Sequence, residues 1–162
     1  MVVSLNSSEQ KNCDYQVDNL KIFSNQNLDS FLNDIQKEKF SVSFTKKVIP
    51  FFIKKQLDCL TGNFSIANPG EPFNATDVSD GSLPNRQLLF SARSSQLFIM
   101  TYLCGGIAEQ THIIFIRFRD NTITDLWTGI SLKNLRTKNQ VLRYIKTHRN
   151  KIGGLNTNMI FF

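Results

Sequence analysis

Histidine and cysteine, the residues most metal and nucleophile sites depend on, are scarce in this sequence. Two histidines and three cysteines with no CxxC spacing leave a metal centre without a ligand set. The glycine-rich phosphate-loop and dinucleotide fingerprints are both absent, so no cofactor is expected. No apolar run approaches the roughly 20 residues a membrane helix needs, so no membrane span is expected. The opening Met1-Val2-Val3-Ser4-Leu5 is too short for a signal peptide and lacks a basic start. Cytoplasmic placement, and secretion with a leader already removed, both stay open.

Acids are missing from the C-terminal part. The last one is Asp125. Seven of the 19 Lys and Arg follow it (Lys133, Arg136, Lys138, Arg143, Lys146, Arg149 and Lys151), while the others face all 13 acids. The net charge of +6 therefore belongs to one segment rather than to the whole chain. An odd cysteine count does not make a disulfide framework. Cys13, Cys59 and Cys104 read as reduced thiols, with Cys59 and Cys104 buried as small hydrophobes. One disulfide plus a free thiol is the alternative.

What the sequence does have is alternation. Residues 87–93, 96–104, 111–118 and 122–129 repeat at period 2, with aromatic and β-branched residues concentrated in the middle two runs. Ser94-Ser95, 105–110 and Asp120-Asn121 separate them, and Asp-Asn suits a tight hairpin because both residues tolerate positive φ. Registered on that turn, Phe118 faces Ile123, Ile116 faces Asp125, Ile114 faces Trp127 and His112 faces Gly129. A six-residue loop at 105–110 then sets Leu103 opposite His112. Both resulting sheet faces are apolar, so each needs a cover.

Helices are expected before and after this sheet in the chain, the two N-terminal ones covering one of its faces. Asn27 reads as an N-cap for a helix over 28–39, whose Leu28, Phe31, Leu32 and Ile35 share one face. A second helix over 46–61 has Pro50 near its start and Gly62 as its stop. Thr137 and Gln140 form a capping-box pattern that opens a third helix. Residues 1–14 read as a flexible tail and 15–162 as one domain. Residues 68–86 hold three of the four prolines and read as a packed surface loop. The apolar ending Met159-Ile160-Phe161-Phe162 is expected to dock as an edge strand. The fold class is thus α+β: a four-stranded antiparallel meander, with a fifth C-terminal edge strand left open, two N-terminal helices and one C-terminal helix. This outline resembles helix-on-curved-sheet folds such as the cystatin-like class, an analogy that fixes no function.

Three functional readings follow. In the first, Phe98, Met100, Tyr102 and Phe115 line an uncovered sheet face that takes an apolar ligand or a second copy of the chain, making a non-enzymatic binding module. In the second, Arg143, Lys146, Arg149 and Lys151 contact an anionic partner such as nucleic acid through phosphates. In the third, a small hydrolase is built near Asp125, His112 and Glu109. The register disfavours a relay of Cys104, His112 and Asp125, because it sets Cys104 and His112 on opposite faces. Asn6, Asn63 and Asn74 begin N-x-S/T sequons, which matter only in a secreted eukaryotic protein.

Overall fold

The computed structural model describes residues 12–77, 80–106, 109–149 and 162. The chain is α+β, with helices packed on one antiparallel sheet. In chain order it runs α1 (Asn19–Phe23), α2 (Leu28–Lys37), β1 (Ser41–Ser43), a 3₁₀ turn (Lys46–Val48), α3 (Phe51–Thr61), β2 (Arg86–Arg93), β3 (Leu97–Cys104), β4 (Gln110–Arg119), β5 (Thr122–Ser131) and α4 (Lys138–His148). The sheet is a five-stranded meander in the order β1-β2-β3-β4-β5. Its fifth strand, β1, comes from the N-terminal half and pairs with β2. The edge strand expected at 159–162 falls, except for Phe162, outside the described residues.

The local signals act largely as read. Asp120 and Asn121 both take left-handed φ, 48° and 59°, and close the β4–β5 hairpin. Leu28, Phe31, Leu32 and Ile35 are the buried stripe of α2. Pro50 sits at the N-cap of α3, where its missing N–H is harmless, and Gly62 ends that helix at φ 82°. The Thr137 hydroxyl accepts from the Gln140 amide, while the Gln140 side chain reaches back to the Arg136 amide, one residue earlier than a standard capping box. Asn27 does stand at the head of α2, but its side chain makes no cap hydrogen bond. It is used elsewhere.

The register differs from the sequence reading in two places. The β3–β4 turn holds five residues, so Cys104 pairs with Gln110, and Tyr102, not Leu103, pairs with His112. In β5 an extra residue, Thr124, bulges out between the Arg117–Asp125 and Phe118–Ile123 pairs. Beyond it every partner shifts by one, so Trp127 lies opposite Phe115 and Ile114 opposite Thr128. A one-residue shift exchanges faces. Ile114 and Trp127 therefore point to opposite sides of the sheet, as do Leu103 and His112.

Helices cover both faces. On the front, Phe115 stacks on Trp127 with ring centroids 5.1 Å apart and meets Phe31 of α2 at 5.8 Å. The linker before α4 is pinned to the same face, where the Thr101 hydroxyl donates to the Leu135 carbonyl at 2.6 Å. On the back, Phe52 of α3 packs on Phe118 at 5.2 Å and Phe64 meets Tyr102 edge-on at 5.3 Å. The one-sided helix-on-sheet outline gives way to a three-layer arrangement, because a sheet apolar on both faces must bury both.

Cys13 and Cys59 form a disulfide, and Cys104 is the free thiol. The reading of three reduced thiols is thereby corrected: separation along the sequence, 46 residues, says nothing about the 5.8 Å between their Cα atoms. The bridge, with the Lys55–Asp14 ion pair at 2.7 Å, holds residues 13 and 14 against α3. The expected loose tail therefore does not extend to residue 14.

Candidate functional site

Asp125 is one of the three residues of the hydrolase reading. It is buried on the front face, where its Oδ1 accepts from Lys21 Nζ at 3.0 Å, Asn27 Nδ2 at 2.8 Å and the Leu126 amide at 3.0 Å. Its Oδ2 faces Arg117 Nη1 at 3.3 Å. Arg117 also pairs with Asp34 at 2.7 Å and lies over the Phe31 ring. Two cations and two further donors saturate this carboxylate. It locks α1 and α2 to the sheet and has little capacity left to act as a base.

His112 lies on the back face, with Tyr102 beside it at 5.1 Å between ring centroids. Cys104 shares that face, so the corrected register brings the thiol and imidazole to one side after all. Arg86, paired with Cys104 across the strands, completes a buried cluster. Its guanidinium stacks 4.5 Å from the Phe64 ring centroid and donates to the Phe162 backbone oxygen at 2.9 Å. Burial, aided by the Arg86 charge, lowers the His112 pKa to about 4. Burial pushes the Cys104 thiol up, with Arg86 pulling the other way. Burial likewise raises the Tyr102 phenol. At neutral pH the imidazole and thiol are both uncharged. A thiolate–imidazolium nucleophile needs the opposite shifts. Glu109 is exposed at the turn, and Asp125 is on the other side of the sheet. The three residues of the hydrolase reading are not brought together.

Phe98, Met100, Tyr102 and Phe115 are fully buried. The first three are on the back face and Phe115 is on the front. The expectation that they line an uncovered face is corrected: α3 and the segment after it cover one side, and α2 covers the other. No protein-family model, curated protein or solved structure matches the chain. What the site can do must therefore be read from its own surface.

Among the described residues no group of three or more His, Cys, Asp or Glu is placed to hold a metal, and no helix is long and apolar enough to cross a membrane. Of the four basic residues expected to contact an anionic partner, Arg143 and Lys146 are exposed beside a groove of ≈ 480 Å³ that also includes Gln36 and Leu142. Arg149 is engaged by Asp29, and Lys151 lies outside the described residues. Among its described residues the 68–86 loop is tied together at Asn74. Asn74 is buried, and its side-chain amide donates to Asp80 O, Leu83 O and Asn85 Oδ1 at 2.9, 3.0 and 2.8 Å. That amide is the loop's hub and is not available for glycosylation in the folded chain. A Cβ at Gly105 would collide with the Asn74 carbonyl, so the loop presses directly on the β3–β4 turn.

The feature that the sequence reading missed is a corner around β1. Val42, Phe44, Val48 and Phe51 are 55%, 57%, 45% and 80% exposed within ten residues of chain. Phe52 packs inward on Phe118, and the Arg93 guanidinium lies over that same ring. Arg93 in turn pairs with Ser41. The first turn of α3 thus sits by the corner that β1 borders. The signal available in the sequence was the Phe51-Phe52 pair, since a single helix turn cannot bury both side chains on one narrow stripe.

Proposed function

We propose that the chain is a non-catalytic interaction module that binds its partner through the apolar corner at β1. The observation that carries this reading is the cluster of exposed Val42, Phe44, Val48 and Phe51. Isolated exposed hydrophobics are ordinary, but four within ten residues of chain, beside a sheet edge, mark an interaction surface. Self-association or ligand binding through an apolar surface is retained from the sequence reading and moved from the sheet face to its edge. The Cys13–Cys59 disulfide supports placement in an oxidising compartment. The test is selection of a random peptide library on the folded protein. Enriched binders should be lost on Phe44→Ser with Phe51→Ser, at unchanged thermal stability. Failure to enrich binders, or binders indifferent to both changes, overturns the reading.

A second reading, weak anion binding, rests on the exposed pair Arg143 and Lys146 beside their groove. Titration with duplex DNA and single-stranded RNA at two salt concentrations tests it. It requires binding that collapses as salt rises and that falls on Arg143→Ala with Lys146→Ala.

A further inference from the structure

We infer that the β1 edge takes an extended, acidic peptide segment as an added strand, a partner class that rests on the interaction-module reading above. The first support is topological. β1 is the terminal strand of the sheet, and no described strand pairs with its outer side. Backbone donors and acceptors along such an edge are met in register by one kind of partner, an extended chain.

The second support is the pleat. Val42 pairs with Ala92 and so points to the front face, while Ser41 and Ser43 point to the back. Phe44 follows two residues after Val42. An added strand would meet apolar side chains on one face and small hydroxyls on the other, a pattern that suits an alternating apolar and polar sequence.

Charge gives the third support and sets the partner's sign. Lys37 and Lys39 precede β1, and Lys46 and Lys47 follow it. Among the described residues Lys37, Lys39 and Lys47 have no acid partner, and Lys46 reaches only Glu71 at 4.0 Å. Glu38, the acid nearest in sequence, is engaged by the Ser94 hydroxyl. A second copy fits poorly, because antiparallel pairing of β1 with itself brings the lysines before one strand against those after the other. A segment with carboxylates flanking an apolar centre meets both lysine pairs.

The experiment uses the full chain and a synthetic fluorescent peptide with a Val-Thr-Val-Thr-Val centre and two acids at each end. One control replaces both Thr by Pro, and another replaces the acids by Lys. Anisotropy and backbone amide NMR are recorded at two salt concentrations. The acidic peptide should bind and perturb the amides of residues 41–44. The Lys peptide should bind at least tenfold more weakly, and the Pro peptide should not bind. Val42→Asp, and separately Lys39→Glu with Lys47→Glu, should each cost at least tenfold while the thermal melt is kept. Indifference to proline or to charge overturns the inference, as does absence of binding. A concentration-dependent dimer abolished by Val42→Asp would put a second copy at the edge, overturning the peptide partner but leaving the interaction-module reading intact. If the library selection also enriches nothing, both readings fall together.

Discussion

At the β5 edge, Leu126 has its carbonyl taken by Asn27 Nδ2 at 3.1 Å and its amide by the Asp125 carboxylate at 3.0 Å. Trp127 beside it donates its indole N–H to Asn25 Oδ1 at 3.0 Å. The segment carrying Tyr15 wraps past this edge from α3, anchored by the disulfide and by paired hydrogen bonds between the Tyr15 backbone and Gln56 at 2.9 and 2.8 Å. At the β1 edge Ser41, Val42 and Phe44 stand exposed and Ser43 is half-buried, beside Lys37, Lys39 and Lys47, which have no acid partner among the described residues. An edge strand exposes backbone groups wherever it lies. Here one edge is closed by side chains and a covalent strap, and the other has no described strand on its outer side.

The largest test of this contrast is Asp125→Ala, which strands two cations and Asn27 at the closed edge. It should cost about 3–5 kcal/mol, the range for breaking a buried pair, read from the urea midpoint. A loss below 1 kcal/mol would mean that edge is not held as described. Replacing Cys13 and Cys59 together by Ser should cost up to about 4 kcal/mol by chain entropy, with hydrogen exchange at the Leu126 amide accelerating before that of β2.

Acid probes the back face rather than either edge. His112 in the folded chain titrates near pH 4, below its ordinary value of 6.5. Between those values the unfolded chain takes up a proton that the folded chain does not. The contribution is complete above pH 6.5 and is lost as pH falls, by about 3 kcal/mol at pH 4. His112→Phe should flatten that part of the stability profile. The smallest effect belongs to the open edge, where Phe44→Ser or Phe51→Ser should shift stability by no more than about 0.5 kcal/mol. An urea midpoint falling as far as that of Asp125→Ala would place β1 in the structural frame and erase the contrast.

How far the sequence reached depended on the range of the forces involved. The helical stripe of α2, the Asp120-Asn121 turn, the Gly62 stop and the Thr137 cap are set by residues within a few positions of one another, and each was legible. The strands were legible too, since alternation is local. Their register was not. It turned on whether Thr124 joins the ladder and whether the β3–β4 turn holds five residues or six, choices that the sheet makes through the packing of Trp127 on Phe115. With the register went the faces, and with the faces the placement of Cys104, His112 and the four apolar residues expected on an open surface. Asn27 marks the boundary most clearly: its sequence position announced a helix start, but Asp125, 98 residues away, claimed its side chain. The disulfide, the saturated carboxylate and the choice of which edge stays open all join residues distant in the chain. Distance in space is what folding creates, so only the tertiary structure could decide them.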